Sequence, residues 1–525
     1  MRAARALAWC CVAALGFGAR SAGATGFSDV GQDILPREES HVEVHGYLRT
    51  RGEALYNLDL DRGLTPSGKP LFPVSAADPR AQTLTYWDMR LRTDVAVYTP
   101  GATVAVKARF DLLDNFPLGG SADGIPSAST TQRPPGQALS LKRAYGEALT
   151  PIGLIAAGRM GSNWGLGMLT NGGDCADCDS GDAADRLAFL MPALGHIFAV
   201  AYDFSATGPF GTRPSSTRLI ALEPSTSVRS VTLAALNFRD DEARIRRRKA
   251  GKATFEYGAY FATRWQKNDL PTAYLPSVAQ MPITSAQIMS RNAESIAVDG
   301  WARLTLPWLR VEAEAAYLAG KIEQASLLPG VLLNQPITSN QFGAAVESEI
   351  GRPESKLGGG LDMGYASGDS APGFGVNTQP GAPTAKPGDI DGAQVKPPYD
   401  NHVDNFRFHP DYRVDRILFR EIIGTVTNAT YLRPHVRWRI ADIGRGSLSA
   451  GVAAIASWAQ YATSTPGGKR PLGIEIDPTL AYAHSGFYAA LEHGILFPLS
   501  GLDNPVAHLD AKPAQLIRLR LAFAF

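Results

Sequence analysis

The chain has 525 residues, of which 19% are charged, with a formal net charge of +1 and a mean hydropathy of −0.10. A balance this close to neutral argues against a nucleic-acid partner, and no run of about 18 or more apolar residues marks a membrane-spanning helix. Neither point weighs against a transmembrane β-barrel. Its strands alternate lipid-facing and lumen-facing residues and average out as polar.

The N-terminus reads as a signal peptide over 1–24. Arg2 and Arg5 give the positive start, Ala6 to Ala19 the apolar centre, and Ala22-Gly23-Ala24 a small-x-small cleavage site. Cleavage removes Arg2, Arg5 and Arg20 and no acid, which takes 51 Lys and Arg to 48 against 50 Asp and Glu. Cys10 has too short an apolar segment before it to be a lipidation site. Beyond the signal only Cys175 and Cys178 remain, too few for a disulfide scaffold. The segment 25–40 is expected to lead through the periplasm into a barrel covering 41–525.

From residue 41 onward the side chains alternate. Trp87, Met89, Leu91, Val95 and Val97 interleave with Asp88, Arg90, Arg92 and Asp94, and Leu309, Val311, Ala313 and Ala315 with Arg310, Glu312 and Glu314. The pattern predicts strands at 41–57, 83–98, 102–113, 138–150, 152–160, 195–204, 216–223, 227–238 and 252–266. It continues at 294–306, 308–321, 340–351, 354–367, 429–441, 447–461, 472–484, 486–498 and 515–525. This makes about 18 antiparallel strands in an all-β fold, or 16 if the hairpin holding the weak span 216–223 is dropped. Tight turns such as 99–101, 150–151, 306–308 and 485–486 alternate with long stretches such as 58–82, 161–194 and 368–428. Short periplasmic turns and long extracellular loops are the habit of outer-membrane barrels. The final strand alternates Ile517, Leu519, Leu521, Phe523 and Phe525 with Arg518 and Arg520, which resembles the assembly signal of such barrels. Trp87, Trp265, Trp458 and Tyr461 at outer ends, and Tyr98, Trp308, Phe523 and Phe525 at periplasmic ends, suit interfacial girdles.

Two charged arcs are expected to line the pore. Arg49, Arg51, Arg90, Arg92, Lys107, Arg109, Arg518 and Arg520 form a basic one, interrupted by Asp88, Asp94 and Asp111. Glu312, Glu314, Glu347, Glu349 and Asp362 form an acidic one on the far side. Opposed walls of this kind would set a transverse field that favours polar solutes. A second basic ladder, Arg433, His435, Arg437 and Arg439, complicates the picture. The Gly/Pro-rich stretch 368–428 reads either as a constriction loop, with Asn405 to Tyr412 contacting solute, or as an external loop packed on itself.

The segment from Asp174 to Asp182 is acidic. No cofactor is required, but Asp174, Asp177, Asp179, Asp182 and Asp185 could hold Ca²⁺ through hard oxygens, in a spacing that is not the EF-hand's. Cys175 and Cys178 could close a small disulfide in an oxidising compartment. The basic run Arg244 to Lys249 falls in a periplasmic turn. No nucleophile elbow, His-Glu-x-x-His or phosphate-cradling loop appears, so the chain does not read as an enzyme.

At Gly158-Arg159-Met160-Gly161-Ser162-Asn163-Trp164-Gly165-Leu166-Gly167, with Asp182 to Arg186 and Asn405 to Arg420, the chain resembles an uncharacterised family of large outer-membrane β-barrels, loosely similar to the porin and alginate-export types. The resemblance implies fold and a bacterial outer-membrane location and carries over no catalytic residue. The expected function is a porin-like channel for passive diffusion of small polar or charged solutes. Alternatives are a polysaccharide exporter and a non-conducting adhesin or structural barrel. The expected partners are outer-membrane lipid, the barrel assembly machinery and small solutes.

Overall fold

The computed structural model describes residues 40–75, 78, 82–120, 139–270, 284–326, 335–352, 354–377, 385–395 and 400–525. The signal peptide and the segment 25–39 lie outside these residues. The strands are β1 (His41–Tyr56), β2 (Thr83–Tyr98), β3 (Val104–Pro117), β4 (Leu139–Thr150), β5 (Gly153–Gly161), β6 (Ala183–Ala193) and β7 (His196–Ala206). Then come β8 (Phe210–Arg213), β9 (Ser216–Ala221), β10 (Val228–Asn237), β11 (Thr254–Asp269), β12 (Met289–Thr305), β13 (Leu309–Ile322) and β14 (Ile337–Ile350). The last are β15 (Leu357–Ala366), β16 (Ala429–Ile443), β17 (Gly446–Ala459), β18 (Pro471–His484), β19 (Phe487–Pro498) and β20 (Ala514–Ala524). One helix, α1 (Asp241–Lys249), lies between β10 and β11.

Eighteen of the strands form one sheet in which each pairs antiparallel with the next, and β20 closes onto β1 through Tyr47↔Ala524 to Tyr56↔Gln515. Closure leaves no sheet edge, the condition for a sheet to stand in lipid. The outward residues supply the matching surface. Val106, Leu141, Leu187, Leu233, Val298, Phe342, Val436, Leu491 and Ile517 are exposed right around the wall. Trp87, Trp265, Trp458 and Tyr461 stand exposed at the long-loop end, and Trp308, Phe523 and Phe525 at the short-turn end. Tyr98 is the exception. Its parity on β2 is that of Arg90 and Arg92, so it faces inward and is buried.

The strand number agrees with expectation, but one member differs. The span 183–193, read as loop, is β6, pairing β5 through Leu154↔Leu190 and β7 through Ala193↔His196. Its inward Ala188 and Leu190 are apolar because they pack in a buried cluster with Trp164, Leu236 and Trp301. With both faces apolar, the alternation is erased. The span 216–223 is not in the barrel. It contributes β9 to a separate two-stranded hairpin with β8 at the long-loop end, and β7 therefore runs opposite to the expected direction.

Candidate functional site

A barrel of about 16–18 strands encloses more space than its wall side chains fill, and here loops enter it. The predicted basic arc does come together on adjacent strands: Arg49 lies opposite Arg90, and Arg51 opposite Arg520. Carboxylates interleave with it. Arg51 pairs with Asp88 at 2.8 Å, Arg92 with Asp111 at 2.7 Å, Lys107 with Glu147 at 3.3 Å, Arg109 with Asp94 at 2.6 Å and Arg520 with Glu492 at 2.8 Å. Arg518 bonds Glu53. The acidic arc is likewise matched. Glu312 takes Arg303 at 2.7 Å and Arg310 at 2.9 Å, Glu349 takes Arg437 at 3.0 Å, and Asp362 takes Arg433 at 2.6 Å. Glu347 lies 3.9 Å from Arg310. The arcs are therefore not two bare walls of opposite sign. Charges taken out of water need such partners, and Arg49, Arg90, Arg518 and Glu312 are almost wholly buried.

The loop 162–182 crosses between the arcs. At one end the Trp164 indole N–H donates to Asp299 at 2.8 Å, and Glu314 accepts the backbone N–H groups of Leu166 and, at 3.2 Å, Leu169. At the other end its acidic tip meets the basic arc. Asp177 receives Arg420 at 2.6 Å and Arg51 at 3.3 Å, with Arg518 and Arg520 each at 3.7 Å. Asp179 receives Arg51 and Arg413, both at 2.8 Å. Arg90 donates to the carbonyl of Cys178 at 2.6 Å, and Cys175 and Cys178 are joined in a disulfide. Burial opposes ionisation of Asp174, but Arg143 and Arg109 outweigh it and hold the carboxyl at about 2. Burial is outweighed in the same way at Asp177, chiefly by Arg420, and at Asp179, chiefly by Arg51, and both stay below the ordinary range.

The five aspartates considered for Ca²⁺ do not converge. Asp174, Asp177 and Asp179 are taken by arginines, and Asp182 accepts from the Thr170 hydroxyl at 2.7 Å and lies 3.6 Å from His409. Asp185 is on the outer face of β6, paired with Arg159 at 2.7 Å. Among the described residues no group of three or more His, Cys, Asp or Glu is placed to hold a metal.

Residues 405–428, between β15 and β16, also enter the lumen. The backbone N–H of His409 donates to Met168 at 2.8 Å, and Asp411 accepts the N–H groups of Asp179 at 2.8 Å and Ser180 at 2.9 Å. Phe374, Phe406, Phe408, Ile417, Phe419 and Ile423 pack with Leu60, Leu166 and Leu502 of three other loops, against the small wall residues Ala316, Ala345, Ala429 and Ala514. Each such side chain contributes roughly 1.5–3 kcal/mol on burial. The aromatics of 405–412 thus serve a core and do not contact solute. Gly343 on β14 makes room for this core, since a Cβ there would fall 2.4 Å from the Phe406 ring. Arg416 anchors the segment where Pro478 interrupts the β18–β19 ladder. Proline has no N–H to offer, and Arg416 donates instead to the carbonyls of His493 at 2.6 Å and Pro478 at 2.7 Å.

A narrow polar crevice of about 50 Å³ remains between the loop 172–183 and the wall. Arg90, Arg92, Arg109, Lys142, Arg143 and Asp182 line it. Several site residues were not singled out from the sequence, namely Arg143, Arg413, Arg416, Arg420, Asp299 and Glu475, which accepts the backbone N–H groups of Arg416 and Ile417 at 2.8 Å.

No family profile and no curated protein matches the chain. Solved structures do. The chain is similar to OpdK of Pseudomonas aeruginosa, determined with vanillate, at 10% identity over 92% of this chain and 98% of that one, with a TM-score of 0.44. It is similar to a BenF-like porin from Pseudomonas fluorescens Pf-5 at 9% identity over 93% and 99%, with a TM-score of 0.44. It is also similar to OmpT, an outer membrane protein of Vibrio cholerae, at 10% identity over 94% and 100%, with a TM-score of 0.33. The architecture of this chain rests on its own strand pairing.

Proposed function

We propose that this chain is a bacterial outer-membrane channel for small polar or charged solutes, narrowed from within by two loops. The observation that carries the reading is a closed wall with an apolar exterior and a charged interior. An apolar exterior with a polar interior is the arrangement of outer-membrane barrels that enclose a water-filled lumen. Solutes follow the crevice beside Arg92, Arg109 and Arg143, where the tip of loop 162–182 meets β2, β3 and β4. Insertion by the barrel assembly machinery belongs to the same reading. An exporter of an acidic polymer is less well supported, because Asp88, Asp94 and Asp111 break the basic lining.

One observation favours a second reading, a non-conducting structural barrel: the apolar core that four loops build inside the long-loop half of the lumen. Single-channel recording on the refolded chain separates the two. Discrete open steps with a measurable ion preference support the channel. A folded, heat-modifiable barrel that never opens supports the structural role.

A further inference from the structure

The charge at the short-turn end is gathered on one side. Five of the turns, 99–103, 151–152, 194–195, 306–308 and 485–486, hold no Asp, Glu, Lys or Arg. The other three are those after β10, β14 and β16. Residues 238–253 hold seven Lys or Arg against three Asp or Glu, 351–356 hold two against one, and 444–445 hold Arg445 alone. These turns are neighbours around the rim, in the sector from β10 to β17, separated only by the uncharged turn 306–308.

The fold ties this sector into one surface. Capped by Asp240, α1 lies along the rim, and Arg248 donates to the carbonyls of Pro307 at 3.2 Å and Gly351 at 2.9 Å in the next two turns. Arg244 turns inward to Glu256 at 3.3 Å. Arg246, Lys249, Lys252, Arg352, Lys356 and Arg445 are left exposed to the outside. Beside them on the lipid-facing wall stand exposed apolar and aromatic side chains: Phe255, Trp308, Ile350, Leu357 and Trp438. Cations next to an apolar belt at the membrane boundary match one kind of partner, whose phosphate meets the cations while its chains lie on the wall. A soluble polyanion would need the cations but not the belt.

We propose that the sector from β10 to β17 is a binding surface for anionic phospholipid headgroups of the periplasmic leaflet. It orients the barrel through α1 and the two following charged turns.

The test uses the full mature chain refolded in phosphatidylcholine vesicles, with and without phosphatidylglycerol, and reads the heat-modifiable unfolding midpoint. In the wild type the midpoint rises when phosphatidylglycerol is added, and salt near 1 M, where the screening length is about 3 Å, removes the rise. The Arg246→Gln/Lys249→Gln/Arg352→Gln/Lys356→Gln variant matches the wild type in phosphatidylcholine and loses the rise. A variant at the other end, Arg213→Gln/Arg218→Gln, keeps it. If the fourfold variant does not fold, Lys252→Gln/Arg445→Gln is read in its place and shows a reduced rise. An undiminished rise in the variants of the β10–β17 sector overturns the proposal, as does no rise in the wild type. Binding of soluble polyglutamate to that sector without any phosphatidylglycerol effect also overturns it, in favour of an acidic protein partner.

Discussion

The Asp177 carboxylate of the first inserted loop accepts a hydrogen bond from the Arg420 guanidinium of the second at 2.6 Å, across 243 positions of sequence. Behind Asp177 stand Arg51, Arg518 and Arg520 on the wall. One carboxylate therefore locks two loops to each other and to the barrel. Replacing it leaves like charges facing each other in a buried place, a change that costs about 3–5 kcal/mol when one partner of a buried pair is removed. Asp177→Ala is expected to release both loops, seen as larger and noisier conductance and as new protease cuts within 171–181 and 405–424. Unchanged conductance with intact loops would contradict this role.

The far anchor gives a separate prediction. Glu314 accepts buried backbone N–H groups of Leu166 and Leu169, and each donor left unsatisfied costs roughly 1–3 kcal/mol. Glu314→Ala should therefore lower amide protection across 164–169 in hydrogen exchange. The basic arc and the tip 174–179 should keep theirs.

Gly343 and Phe406 test the packing. Leucine at 343 occupies the space of the Phe406 ring, and forcing extra carbons into a filled core costs typically 1–3 kcal/mol, a rough range. Gly343→Leu should displace the second loop without altering any charge. The expected readout is quenchable fluorescence from a probe introduced in 405–424, which has no Trp of its own, and an increased conductance. The paired variant Gly343→Leu/Phe406→Ala should restore docking.

How much of this was legible follows from individual residues. Strands such as β2, β13 and β20 were readable because two to four charges at alternate places, such as Arg518 and Arg520, left the other face for lipid. β6 was not, because Ala188 and Leu190 serve the Trp164 cluster. β9 was misread because its short apolar run, Leu219 to Leu222, lies in an exposed hairpin outside the barrel wall. The entry of 405–428 into the lumen is a tertiary fact, although one signal was available: Phe406, Phe408, Phe419, Ile422 and Ile423 have no reason to crowd a loop that only meets water. The acidic tip was noticed as a place that could hold Ca²⁺, while arginines that claim it were already in view on the basic arc. Arg413 and Arg420, supplied by the other loop, became partners only once both loops shared a lumen.

The pH dependence divides between the loops. Asp174, Asp177 and Asp179 have lowered values, so their contribution is present above the ordinary carboxylate range near 4 and is lost only in stronger acid. Burial pushes Asp415 up, to about 7, with the charge of Asp477 adding to the effect. A raised acid stabilises docking fully below its ordinary value and loses that contribution as pH rises toward 7. Closed dwell times should therefore lengthen as pH falls from about 8 to about 5, and Asp415→Asn should abolish that trend. A trend that persists in the variant assigns it to another group.

In the proposed channel two inserted loops set the width of the conducting lumen. One planar-bilayer experiment tests this, comparing the single-channel conductance of the wild type with that of a variant in which 172–181 is replaced by a short Gly-Ser link. Small, ion-selective steps are expected in the wild type and several-fold larger, less selective steps in the variant, with both barrels equally heat-modifiable. Equal conductance in the two, or silence from both, would contradict it.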